Sequence, residues 1–369
     1  MGIKAIGIIG ATGTGTGAAE LFVRNGFQVR LYDDFKDSLA VALAKISWAL
    51  ERDGRGGLLG NIEGVQDLSK FSGADIVIEA ASKSDEERRG YFAKLRPHLA
   101  PGCAVAARCA VKPLSGLLET ADLAPELTLG LHFIKPVRSN QLVELVRTAR
   151  TSDACIEAAA ALMRGIGKTP VIVKDNPGQI VERLARPFML AALRLLEAGK
   201  GRPHEIDAAF RAVSGAAAGP FELADFSGLD FEYAAAEAIF EALGGPERLR
   251  PSQVLQRLVQ YGQLGRKSTI GFYIYEEGRI VGENPILHNV VRYLGLKKTP
   301  EGEIFGELMR PVVEEARLLA SEIMASEYDI ETAVKLALGW PKGPFAFSRD
   351  LAALLEKKKV SEFDNLDTF

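Results

Sequence analysis

The chain has 369 residues, 47% of them hydrophobic and 25% charged, with a formal net charge of −3. That leaves room for two or three domains with a substantial core, and the near-balanced charge gives no sign of a nucleic-acid surface. Cys103, Cys109 and Cys155 stand at no metal-like spacing and outline no disulfide framework, so no metal site is expected. No signal-peptide pattern is visible and no uncharged apolar run reaches about 18 residues, so a cytoplasmic protein without membrane contact is expected.

The first apolar run, Ala5-Ile-Gly-Ile-Ile9, reads as a strand that ends at Gly10. A glycine-rich turn and an alanine-rich helix through about Asn25 follow. The next strand, Phe27–Tyr32, ends in Asp33-Asp34, and further strands are read at 74–79, 104–107, 127–132 and 170–174. Strands alternating with helical periodicity imply a doubly wound parallel sheet of the Rossmann type, since each parallel connection needs a crossover helix. Asp175-Asn-Pro-Gly178 is a turn signal and the expected boundary of a first domain, 1–178. From Ile180 to about Leu264 the pattern is helical, and Arg266–Tyr273 reads as an extended segment. Arg183, Glu197, Ile206-Asp207 and Gly219-Pro-Phe221 are echoed by Arg310, Glu315, Ile330-Glu331 and Gly343-Pro-Phe345. The echo implies two all-α C-terminal modules, 179–285 and a shorter 300–369.

Gly10-Ala-Thr-Gly-Thr-Gly15 lies between a strand and a helix, where backbone N–H groups and the positive helix end receive a pyrophosphate. Gly10 serves the tight turn and Gly15 lets the helix pack close to the strand. The middle position of G-x-G-x-x-G is Thr12, whose β-carbon crowds the phosphates unless Gly13 gives the loop another path. Asp33, at the end of the second strand, is placed to accept from the ribose hydroxyls; with Asp34 it opposes a 2′-phosphate, which favours NAD over NADP.

Gly130-Leu-His-Phe-Ile-Lys-Pro136 puts His132 at a strand end, and Glu144 follows twelve residues on, past a proline-containing turn. Oxidising a secondary alcohol needs a base for the hydroxyl proton. Imidazole suits that task, with a carboxylate on its other nitrogen to fix the tautomer.

These motifs occur in the order found in the 3-hydroxyacyl-CoA dehydrogenase family, which the chain resembles over nearly its whole length. They include His-Phe-x-x-Pro with Leu-Val-Glu, Asp-x-Pro-Gly, and Ile206-Asp207 with Gly-Pro-Phe-Glu-Leu-Ala-Asp. Leu264-Gly-Arg-Lys-Ser-Thr-Ile-Gly-Phe-Tyr273 resembles that family's L-G-x-K-x-x-x-G-F-Y signature, and Gly339-Trp-Pro-Lys-Gly-Pro-Phe345 its extra C-terminal module. The resemblance implies an NAD-dependent oxidoreductase acting on an L-3-hydroxyacyl-CoA, with His132 as general acid/base and Glu144 as its orienting partner.

Four positions depart from the family pattern. Cys109 takes the place of the serine that bonds the substrate oxygen, and a thiol is a weak donor. Lys135 and Glu182 replace two asparagines, either as a mutual ion pair or as separate charges, and Lys83 replaces a glutamate near the cofactor's nicotinamide half. If Lys83, Arg108 and Lys135 act together, they form a cationic pocket for a substrate bearing a second carboxylate. Two other readings follow: a dehydrogenase of a free hydroxy or sugar acid on the same scaffold, or an NAD-binding paralogue with impaired catalysis. Lys45, Arg52 and Arg55 are candidates for a coenzyme A phosphate by location alone. The apolar helices of the first module are expected to form a homodimer, unless the second module takes the partner's place.

Overall fold

A computed structural model describes residues 2–291, 298–322 and 324–349. The chain divides into two compact units, Met1–Gln179 and Ile180–Phe369.

The first unit is built on eight strands: β1 (Ala5–Ile9), β2 (Gln28–Tyr32), β3 (Ile62–Val65), β4 (Ile76–Glu79), β5 (Ala104–Arg108), β6 (Thr128–Phe133), β7 (Leu142–Arg147) and β8 (Thr169–Lys174). Their order in the sheet is β3-β2-β1-β4-β5-β6-β7-β8. Every pairing is parallel except β6 with β7. Helices α1 (Thr14–Arg24), α2 (Lys36–Arg52), α3 (Asp85–Leu95), α4 (Ser115–Leu118) and α5 (Asp153–Gly165) connect the strands. One core packs Ile6, Ile8, Leu31, Ile78, Leu131 and Leu145 with the apolar faces of α1, α2 and α5. A smaller one on the opposite face gathers Ile9, Tyr32, Val77, Tyr91 and Leu95. Buried on both faces, the central strands read as unbroken apolar runs. The α3 start is fixed by a capping box, Ser84 Oγ accepting from Glu87 N while the Glu87 carboxylate accepts from Ser84 N.

Two strands of this sheet escape the sequence reading. β3 has four residues, of which Glu63 and Gly64 carry no strand signal. At Gly64 a Cβ would meet Leu43 Cδ1 of α2 at 2.7 Å, so the glycine lets α2 pack closely over the strand. β7 was hidden because its apolar run follows a turn and carries a glutamate.

The second unit holds α6 (Val181–Glu197), α7 (Pro203–Ser214), α8 (Pro220–Ser227), α9 (Leu229–Ala242), α10 (Gln253–Gln260), the hairpin β9 (Tyr273–Glu276) and β10 (Arg279–Glu283), α11 (Leu287–Val290), α12 (Glu301–Ser321) and α13 (Glu327–Leu338). α12 lies against α6 and α7. Fully buried Arg183 on α6 pairs with buried Glu315 on α12, Nε to Oε1 2.7 Å.

The internal repeat is visible in the way each copy closes. Asp207 accepts from the N–H of Phe221 and Glu222, and Glu331 accepts from the N–H of Gly343, Phe345 and Ala346. The helix landmarks revise its register. Pro187 lies inside α6 and Pro311 inside α12, so Arg186, rather than Arg183, stands where Arg310 does.

Arg266–Tyr273 is not the extended segment that was expected. A 3-10 turn at Arg266–Ser268 leads through two isolated bridges, and β9 begins only at Tyr273. The cause is the buried Asp225 carboxylate, which accepts from Phe272 N, Tyr273 N and Tyr275 Oη. The chain bends around it, and only glycine fits: a Cβ on Gly271 would lie 2.0 Å from Asp225 Oδ1. The L-G-x-K-x-x-x-G-F-Y signature is therefore a clasp around a buried acid.

Candidate active site

The cofactor loop follows from three glycine positions. Gly10 has φ +102° and donates its N–H to Tyr32 O at 2.8 Å, and a Cβ there would meet Ala81 backbone at 2.7 Å. At Gly15 a Cβ would stand 1.8 Å from Gly10 O, so the helix can approach the strand only with glycine. Gly13 adopts φ +47° in open space beside exposed Thr12. Asp33 Oδ2 accepts from Ala11 N at 2.8 Å and Oδ1 from Phe35 N at 3.0 Å, which ties the strand-end acid to the loop. Close-packed glycines, a helix N-terminus and a fixed acid suit a dinucleotide.

Beside them, Lys83 Nζ lies 3.2 Å from Glu87 and 5.1 Å from the Phe35 ring centre, two residues past Asp33. Lys45 lines a groove next to Thr12 and Gly13. Arg52 covers Trp48 and pairs with Asp53, while Arg55 donates to Arg24 O.

His132 and Glu144 face each other across β6 and β7 as directly opposed residues of the antiparallel pair. Their side chains lie on one face of the sheet, and Nδ1 is 2.5 Å from Glu144 Oε2. Glu144 is fully buried and His132 is 7% exposed, so water does not compete for the pair. An ionised carboxylate only accepts, which assigns the ring proton to Nδ1 and leaves Nε2 as the basic nitrogen. The antiparallel return of β7 makes this pairing, and sequence spacing alone did not predict it.

Cys109 follows the last residue of β5, its Sγ beside Gly130 of β6. Burial, with the charges of Glu144 and Asp175, pushes its thiol well up, so it stays a neutral S–H. Gly130, one position inward from His132 on the same face, must be glycine: a Cβ would meet Leu114, Val146 and Cys109 Sγ at 2.3, 2.7 and 2.9 Å.

Two supports were not read from the sequence. Asp175 of the Asp-x-Pro-Gly turn accepts from Leu114 N, Ser115 N and Ser115 Oγ, fixing the chain that leaves β5. Buried Lys168 donates to the carbonyls of Val137, Arg138 and Asn140 at 2.6, 3.2 and 2.5 Å, holding the connection between His132 and Glu144. Both are side chains satisfying backbone groups of an irregular segment, which no periodicity announces.

In the second unit Glu182 lies on the first turn of α6, its Oε2 3.1 Å from Arg186 Nη2. The same guanidine is 2.7 Å from Glu232 Oε2. Burial pushes the Glu232 carboxyl up to about 7, and the Glu182 charge adds to that against the pull of Arg186. Lys135 is exposed.

Comparison with known proteins gives a consistent answer. Residues 5–176 match the model of the 3-hydroxyacyl-CoA dehydrogenase NAD-binding domain, and residues 178–275 match that of the family's C-terminal domain. The chain is 34% identical over 288 residues to a 3-hydroxybutyryl-CoA dehydrogenase of Bradyrhizobium diazoefficiens, covering 76% of this chain and 98% of that one. It is also 34% identical over 287 residues to the 3-hydroxyadipyl-CoA dehydrogenase of Escherichia coli, covering 75% of this chain and 60% of the relative. The crystal structure of a 3-hydroxybutyryl-CoA dehydrogenase from Escherichia coli superposes with a TM-score of 0.84 at 27% identity, over 95% of this chain and 92% of the other. The chain belongs to the 3-hydroxyacyl-CoA dehydrogenase family, NAD-dependent oxidoreductases that interconvert 3-hydroxyacyl-CoA and 3-oxoacyl-CoA.

Proposed function

We propose that His132 is the general acid/base of this reaction and Glu144 its orienting partner, with the substrate an L-3-hydroxyacyl-CoA thioester. The observation that carries the assignment is the buried His132–Glu144 pair at 2.5 Å on opposed strand positions. NAD supplies the hydride acceptor when bound, and the donor in the reverse direction. As the C3 hydride leaves, the hydroxyl proton passes to His132 Nε2 and the C–O bond becomes a carbonyl. Glu144 stabilises the resulting imidazolium through Nδ1. In reverse, His132 returns that proton to the oxygen.

Gly10, Thr12, Gly13 and Gly15 hold the pyrophosphate in this reading, Asp33 the ribose, and Lys83 the same cofactor from the β4 side. Cys109 contributes a neutral S–H beside Gly130, two residues before His132. Glu182 is held by Arg186 on the first turn of α6. Changing Glu144 to Gln is expected to lower kcat about 10²–10⁴-fold with NADH affinity retained, because an amide can hold the wrong tautomer. Unchanged kcat in a steady-state assay would remove Glu144 from the mechanism.

We also propose that the protein is a one-chain particle in the cytoplasm. The apolar face of α6 expected to bind a second subunit is already covered by α12 of the same chain. Among the described residues all three cysteines are free thiols, and no helix is long and apolar enough to cross a membrane. A sedimentation mass of two chains would restore the homodimer.

A further inference from the structure

The chain that leads from His132 to Glu144 runs over residues 134–141, between the last residue of β6 and the first of β7. Antiparallel strands take their register from the hydrophobic pattern and from the turn that joins them, and a slip of one residue turns every side chain to the other face. Tight turns of about two to five residues impose a register by themselves, and this connection is longer. Its internal bonds are local: Ser139 N and Asn140 N donate to Pro136 O, and Asn140 Oδ1 accepts from Leu142 N. They shape the turn. Neighbours must hold it in place.

The helix that starts at the glycine loop is one neighbour. A Cβ on Gly17 of α1 would lie 3.0 Å from Val137 Cβ, and Arg138 Nη2 reaches Asp53 Oδ2, just past α2, at 2.6 Å. The other neighbour is Lys168, which lies between α5 and β8 and is only 6% exposed. An ammonium carries three N–H donors, and the carbonyls of Val137, Arg138 and Asn140 take all three. A buried cation whose bonded partners are main-chain carbonyls costs more to place than an apolar side chain of similar length. What it supplies in return is geometry. Three points of one connection are drawn to a single atom, and that atom is anchored beside the dyad's own strand. Thr169, the next residue, pairs with Leu142 at the start of β7 and donates its N–H to Gln141 O.

We propose that Lys168 is a positioning residue for the reaction: by gathering these three carbonyls it keeps Glu144 opposite His132. This rests on the His132–Glu144 reading above. Lys168 acts through the dyad, and misplacing a catalytic group by about 1 Å can cost about a hundredfold in rate. The test is a double-mutant cycle on kcat with acetoacetyl-CoA and NADH, because residues that act through one another fail to add. Lys168→Met is expected to lower kcat at least about tenfold, with the NADH Kd within about threefold, but to cost less than about twofold in a Glu144→Gln background. Lys168→Arg keeps the charge and the donors, and so the fold, but its planar fork cannot bring three N–H groups to one point. It is expected to lose at least about threefold, again only where Glu144 is present. That variant carries the test by itself where Lys168→Met gives no folded protein. Equal fold-losses in both backgrounds make Lys168 an ordinary part of the scaffold and overturn the proposal. Wild-type kcat in either variant, or a loss confined to NADH binding, overturns it as well. If Glu144→Gln alone leaves kcat unchanged, the dyad reading fails and this proposal fails with it.

Discussion

Replacing His132 by alanine is expected to lower kcat for 3-oxoacyl-CoA reduction by roughly 10³-fold while NADH affinity stays within about twofold. The expected split between the two measurements follows from geometry. His132 lies on β6 and holds Glu144 on β7, whereas the glycine loop leaves β1 and is tied to Asp33 of the β2 end. Two strands, β4 and β5, separate the base from the loop. Truncating the imidazole removes the proton acceptor and takes one hydrogen-bond partner from the buried Glu144. Some loss of stability is therefore expected alongside the kinetic effect. Stopped-flow or steady-state absorbance at 340 nm with a parallel NADH fluorescence titration separates the two. A variant that retains wild-type kcat removes His132 from the chemistry. A variant that loses NADH binding makes it part of the cofactor seat.

Asp225→Ala is expected to destabilise the protein by about 3–5 kcal/mol, measured by denaturant unfolding, and to do so without touching the dyad. Asp225 is fully buried and accepts three hydrogen bonds, from Phe272 N at 2.9 Å, Tyr273 N at 3.0 Å and Tyr275 Oη at 3.1 Å. Alanine leaves those donors unsatisfied beneath Gly271, which packs against the carboxylate. Its neighbour Asp207 binds Tyr273 Oη at 2.7 Å, so the two acids hold the same hairpin.

Both titrate in a defined window. Burial raises Asp225 to about 6 and Asp207 to about 7 from the ordinary 3.8, against the pull of their donors. Because the folded values exceed the unfolded ones, the stability these groups contribute is complete below pH 3.8 and is lost as pH rises through about 6 and about 7. Asp207→Asn is expected to flatten that part of the profile. A profile unchanged in the variant would place the pH dependence elsewhere.

The alternation of strands and helices was legible because both faces of the sheet are buried and its strands are apolar runs. The glycine loop and Asp33 were legible because a close backbone approach demands particular residues at fixed offsets. The His132–Glu144 contact was legible as a possibility in the spacing across a proline-containing turn and as what the resemblance implies. Its cause is an antiparallel strand whose central glutamate imitates a solvated position, and the pairing of β6 with β7 decides it. Lys168 and Asp175 were invisible for a related reason. Each satisfies backbone groups of an irregular segment 28 to 61 residues away, a role set by tertiary structure. The turn at Arg266–Tyr273 was misread because Asp225, far away in sequence, overrides the local β-propensity. In the second unit the echo of Gly-Pro-Phe was correct, but its arginine was matched one helical turn too early, since only Pro187 and Pro311 fix the register.

Absorbance at 340 nm with acetoacetyl-CoA, using NADH and NADPH in separate reactions, tests the central claim most directly. The account predicts steady oxidation of NADH with matching formation of 3-hydroxybutyryl-CoA, and a far slower reaction with NADPH, whose 2′-phosphate meets Asp33 and Asp34. No oxidation of NADH, with NADH binding intact by fluorescence, would contradict it.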